Sequence, residues 1–127
     1  MNIGIVTTWF DRGAAQVSKQ YMDVLQENND VFIYARGGEK YAKNNPKWDL
    51  KNVKWGTKSF FSLNGTPIQK KDFKKWIDKN DIEVIFFNEQ QWWPPIIWAK
   101  KWGIKIGSYI DYYTKETVPF FEIFDFL

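Results

Sequence analysis

The stretch from residue 2 to residue 36 most constrains what this chain can fold into. Residues 2–8 (NIGIVTT) form a short apolar run rich in β-branched side chains. Trp9-Phe10-Asp11-Arg12-Gly13 interrupts it. Residues 14–28 then show helix periodicity, with Val17, Tyr21, Val24 and Leu25 predicted on one stripe. A second apolar run, residues 30–36 (DVFIYAR), follows at once. Strand, glycine loop, helix and strand at this length make one βαβ unit. Crossover handedness makes its strands parallel neighbours, with the helix covering one face. In such sheets ligands bind beyond the carboxyl ends of the strands, which puts the 9–14 loop first among candidate sites.

The rest of the chain extends the pattern. Gly37-Gly38 reads as a turn. Residues 39–51 are polar and Lys/Asn-rich with Pro46 inside, and read as an exposed connection. Residues 53–60 form a weak third strand that Gly56 makes irregular. Asn64-Gly65-Thr66-Pro67 is a further turn. Residues 68–80 form an amphipathic helix with Phe73, Trp76 and Ile77 on one face and Lys70, Lys71, Lys74, Lys75 and Lys79 over the rest. Residues 82–88 (IEVIFFN) are near-continuously apolar, as a central strand buried on both faces requires. Pro94-Pro95 opens a helix through Trp102, and Gly103 stands at its C′ position. Residues 104–111 form a fifth strand, 112–118 its exit loop, and 119–127 (PFFEIFDFL) an apolar segment. The order β-α-β-β-α-β-α-β predicts an α/β fold: one Rossmann-like three-layer α/β/α domain over residues 1–127, with a mainly parallel sheet and strands one and four adjacent.

Composition removes several chemistries. The chain has no Cys and no His. Disulfides, thiolate sites, Cys/His zinc centres and Ser-His-Asp catalysis are therefore excluded, and neither a metal nor a cofactor is expected. The net charge is only +3, carried mostly by Lys spread along the chain, so no nucleic-acid partner is expected. No secretory leader or membrane-length apolar run is evident, and the expected location is cytoplasmic. The basic helix at 68–80 reads either as a solvated face over a core-packed helix or as a peripheral contact with anionic lipid.

Topology brings the exit loops of strands one, four and five to one crevice. The first carries Arg12, Gly13 and Ala14 at a helix N-terminus, where free N–H groups and the dipole favour an anion. Arg12 and Arg36, the chain's two arginines, both fall at carboxyl ends of strands, and Arg forks onto phosphate or carboxylate. Asn88, Glu89 and Asp111 add polar groups that bind sugar hydroxyls, act as a general base, or cap the following segment. Trp9, Trp92 and Trp93 are candidates for stacking on a sugar or on a partner domain. G-x-G-x-x-G and G-x-x-x-x-G-K-[ST] are both absent, so redox and kinase readings have little support.

These residues resemble a family. The run NIGIVTTWFDRGAAQVSKQYMDVLQENNDVFIYAR is similar to the start of retaining, group 1 glycosyltransferases of the GT-B fold. Gly13-Ala14-Ala15 stands at their "GGA"-like loop and Asn29-Asp30-Val31 at their "H-E-V" strand entry. DIEVIFFNEQQWW resembles their "PDVVHVH" strand, and WAKKWGIKIGSYIDYYT their "A-x-x-x-G-I-P-x-V-x-T-x-H-D" stretch. The resemblance spans nearly the whole chain. It implies the acceptor-binding N-terminal domain of a nucleotide-sugar-dependent enzyme, with the glycine loop near the donor diphosphate. It implies a catalytic role for Asp111 and substrate-binding roles for Arg12, Gly13, Ala14, Asn88, Glu89 and Trp92. The implied partners are a nucleotide-sugar donor, held with a further domain that bears E-x7-E, and a glycan, lipid-linked or small-molecule acceptor. Two features depart from the pattern. The loop has one glycine where many members have two, and Ile110 replaces the His before the fifth-strand Asp.

Without a donor half, the chain alone is expected to be catalytically silent. The apolar side chains of 119–127 are expected to drive self-association, with a homodimer as the outlet, or else to fold back in part on their own sheet, which weakens that association. Two rival readings stand: a non-catalytic Rossmann or flavodoxin-like module that binds an anionic small molecule, and an interaction domain that docks a protein partner through its aromatic surface.

Overall fold

Five parallel strands form one sheet in the order β3-β2-β1-β4-β5 in a computed structural model that describes residues 1–36, 42–57, 68–90, 92–110 and 113–127. The strands are β1 (Asn2–Thr7), β2 (Asp30–Ala35), β3 (Val53–Trp55), β4 (Val84–Asn88) and β5 (Lys105–Tyr109). The helices are α1 (Gly13–Leu25), α2 (Lys70–Lys79) and α3 (Pro94–Lys101), followed by a 3-10 helix, Val118–Ile123. This is a Rossmann-like parallel α/β fold. Chain order reverses between β1 and β4, which are hydrogen-bonded neighbours.

Side chains alternate between two cores. Ile5, Ile33 and Ala35 point to one face and pack with Ala15 and Met22 of α1. Val6, Tyr34, Ile85, Phe87 and Ile106 point to the other, under Phe73, Trp76 and Ile77 of α2 and Ile96 and Ala99 of α3. Burial on both faces explains the continuous apolar runs. Gly4 lies where β1 passes beneath α2, and a Cβ there would collide with the Trp76 ring. Gly103, at φ +78°, closes α3 in the left-handed conformation its position predicts.

Four expectations need correction. The buried face of α1 is Ala15, Ser18 and Met22, whereas Tyr21 and Val24 are exposed. Close approach to the sheet favours small residues, so the core stripe is displaced from the one that large apolar side chains suggest. Trp9 is fully buried and meets the Trp48 ring edge-on at 5.1 Å, with its indole N–H donating to the Trp48 carbonyl. The polar connection before β3 is thus not merely exposed: Ala42 and Trp48 are buried and cover the sheet where a crossover helix would otherwise lie. Lastly, residues 119–127 fold back in part. Phe126 bridges Gly107 beside β5 and stacks on Phe86, while Phe124 packs on the α3 side. Phe120, Leu127 and much of Phe126 nevertheless remain exposed.

The Gly37-Gly38 and Asn64–Pro67 turns, the end of the third strand beyond Thr57, and Asp111 lie outside the described residues. No described helix is long and apolar enough to cross a membrane.

Candidate functional site

A cavity of about 390 Å³ opens at the carboxyl ends of β4 and β5. Glu89 and Gln90 of the β4 exit loop form one wall, and Ser108, Tyr109 and Ile110 form the floor. Tyr113, Thr114 and Thr117 of the β5 exit loop stand opposite, and Trp93, Phe121 and Phe124 close the side. The 3-10 helix makes that aromatic side possible. It brings Phe120, Phe121 and Phe124 to 6.2, 6.4 and 5.9 Å from the Trp93 ring.

The polar groups of the cavity divide into occupied and available. Ser108 Oγ donates to the Phe87 carbonyl at 3.0 Å. Thr117 Oγ1 donates to the Thr114 carbonyl at 3.0 Å and accepts from the Thr114 N–H at 2.9 Å. Gln90 holds itself in place by donating from Nε2 to the Trp92 carbonyl at 2.9 Å, and its buried Oε1 has no hydrogen-bond partner. Leaving such an acceptor unsatisfied costs about 1–3 kcal/mol. Glu89 is the one charged residue among the described lining residues. It adopts φ +52°, a strained conformation for a non-glycine residue. The Arg36 guanidinium helps hold it there by donating to the Glu89 carbonyl at 2.9 Å. Aromatic faces and a carboxylate together favour a ligand that offers hydroxyl donors and a ring face. A ligand carrying several negative charges would meet no described cation in the wall.

The sequence-selected residues fall into separate groups. Glu89 lines the cavity. Asn88 lies behind it, fully buried, and donates from Nδ2 to the Ala14 carbonyl at 2.8 Å and to Ser18 Oγ at 2.7 Å. This directly joins Asn88 to Ala14, but as the attachment of α1 to the sheet. Thr7 completes it, its hydroxyl 2.7 Å from that of Ser18.

Arg12 and Gly13 are exposed at the start of α1 and do not line the cavity. Arg12 is the N-cap without a side-chain capping bond, and its guanidinium lies 5.8 Å from the Phe10 ring. A Cβ added at Gly13 would meet no atom within 4 Å, so the protein's own packing does not require glycine there. Trp92 turns toward Trp98, edge-on at 5.8 Å, and packs against the α2/α3 core rather than in the cavity. Trp93 takes the ring position in the wall. Asp111, the predicted catalytic carboxylate, lies outside the described residues.

Sequence reasoning passed over Gln90, Thr114, Thr117 and Phe121. The first adjoins a strand end that was read as an exit loop. Thr114 and Thr117 lie in the fifth strand's exit loop, which strand order places at the crevice without singling them out, and Phe121 depends on the chain doubling back after β5, which no periodic signal announces. Among the described residues no group of acidic side chains could hold a metal ion. No protein-family model matches the chain, and no curated protein matches its sequence.

Proposed function

We propose that this chain is the acceptor-binding domain of a nucleotide-sugar-dependent glycosyltransferase. On this reading a sugar ring of the acceptor occupies the cavity beyond β4 and β5. The observation that carries it is the pairing of an aromatic wall, Trp93 and Phe121, with the Glu89 carboxylate in one cavity. Rings stack on the apolar faces of sugars, and hydroxyls donate to such oxygens. The position also fits, because open parallel sheets bind ligands outside the carboxyl ends of their strands, and the cavity lies at those of β4 and β5, one strand from the β1/β4 reversal. The donor diphosphate would lie at the uncapped N-terminus of α1 beside Arg12, where backbone N–H groups and a guanidinium suit it. Catalysis would need a donor-binding domain to hold the second reactant, and Asp111 is the residue we assign to the chemistry. A cytoplasmic location belongs to the same proposal.

Titration of Trp emission with methyl glycosides tests it. Saturable change that disappears in Trp93→Ala supports the acceptor site. The uncapped α1 N-terminus also favours a second reading, a non-catalytic module for an anionic small molecule. Binding of flavin mononucleotide or simple phosphate esters, with no response to any glycoside, would establish that reading instead.

A further inference from the structure

The chain's positive charge is concentrated on one surface, and that surface contains a groove. α2 carries five lysines, and Lys51 and Lys54 stand beside it at β3. Against these seven stand Asp72 and Asp78, which leaves +5 on this face of a chain whose net charge is +3. The groove, about 320 Å³, runs between the entry to β3 and the second half of α2. Its floor is Phe32 and Trp76, Lys51, Lys54, Lys75 and Lys79 rim it, and the Asp72 carboxylate, paired with Lys54, also lines it.

Lys54 is engaged by Asp72 at 3.3 Å, and Lys74 outside the groove by Asp78. Among the described residues Lys51, Lys75 and Lys79 have no ion pair or hydrogen bond. Along α2, Lys71 and Lys75, and Lys75 and Lys79, are like-charge pairs one turn apart, an arrangement that destabilises a helix. The groove therefore sets four lysines against one carboxylate, Asp72, around a partly apolar floor, and its net positive rim would attract an anion.

We propose that this groove binds a soluble small molecule bearing several phosphate groups, at a site distinct from the cavity at the carboxyl edge. The groove is concave, which suits a compact ligand better than a flat bilayer. Phe73, Trp76 and Ile77, the apolar face of α2, are all buried in the core and cannot anchor a membrane. Of the two aromatic residues on its floor, Trp76 is only 4% exposed and Phe32 is partly buried, which leaves little open ring face for stacking bases.

The test uses calorimetric and thermal-melting titrations of the full chain with inorganic tripolyphosphate, pyrophosphate and phosphate. Affinity should rise with the number of phosphates and fall steeply with salt. Lys75→Gln/Lys79→Gln should weaken tripolyphosphate binding by roughly tenfold or more. Lys101→Gln/Lys105→Gln, which removes the same charge elsewhere, should change binding little. Equal weakening by both double variants would reduce the effect to net charge and overturn the proposal. So would absence of tripolyphosphate binding, or binding to phosphatidylserine vesicles alone.

Discussion

Asn88 at the end of β4 donates its side-chain amide to the hydroxyl of Ser18 in α1, 2.7 Å away and 70 residues distant in sequence. Both residues are fully buried, and the second bond, to the Ala14 carbonyl, fixes the first turn of the helix. The loop that opens α1 is therefore positioned from beneath by β4. Asn88→Leu should lower stability by about 1–3 kcal/mol, because it removes two buried hydrogen bonds, to the Ser18 hydroxyl and to the Ala14 carbonyl. Urea unfolding measures this. An unchanged midpoint would show that the network contributes nothing.

Gly4 sits under the Trp76 ring with no room for a side chain. Gly4→Val should cost about 1–3 kcal/mol through overpacking, despite valine's better strand propensity. Circular dichroism melts would show a lower Tm with secondary structure intact. A rise in Tm would mean that α2 can lift from the sheet freely.

Tyr34 and Asp72 share a hydrogen bond of 2.7 Å that links β2 to α2. Burial, and then the bond to Asp72, push the Tyr34 phenol above its ordinary value of 10.0. Burial alone would raise the Asp72 carboxyl, but hydrogen bonds from Tyr34 and from the Thr57 N–H, with the Lys54 charge, outweigh it and hold that carboxyl below 3.8. The signs are opposite. Asp72 stabilises the fold above 3.8 and loses that contribution as pH falls through its lowered pKa. Tyr34 stabilises it below 10.0 and loses its contribution as pH rises further. Tyr34→Phe should therefore flatten the alkaline limb of stability against pH and also weaken the acid limb. A wild-type alkaline limb retained in the variant would assign that limb to other groups.

Much of this architecture is legible in the sequence because parallel strands buried on both faces leave continuous apolar runs. Residues 2–7, 30–35 and 84–88 show it, and Phe73, Trp76 and Ile77 mark the buried face of α2 without ambiguity. α1 is harder to read. It touches the sheet through Ala15 and Ser18, whose small size permits approach but carries no hydrophobic signal. The site is partly legible for a different reason. Strand order places the exit loops, and Glu89 follows from that. Trp93 rather than Trp92 faces the cavity because the turn into α3 rotates adjacent residues to opposite sides, which spacing alone does not specify.

Gly13 separates packing from recognition. Since a Cβ there meets nothing, Gly13→Ala should be neutral or stabilising by about 0.5–1 kcal/mol at the helix start. If a diphosphate approaches this backbone, Gly13→Val should weaken its binding without lowering stability. Parallel melts and nucleotide-sugar titrations of both variants distinguish the effects. Unweakened binding by the valine variant would remove the loop from the donor site.

Residue-resolved NMR during a titration with methyl glycosides examines the cavity most directly. Amide shifts should move saturably at Glu89, Gln90, Ser108, Thr114 and Thr117, and those of Lys75 and Lys79 on α2 should stay still. Trp93→Ala should abolish the movement while leaving the remaining spectrum folded. Shifts absent from these five amides at saturating glycoside, or centred on any other surface, would contradict an acceptor sugar in this cavity.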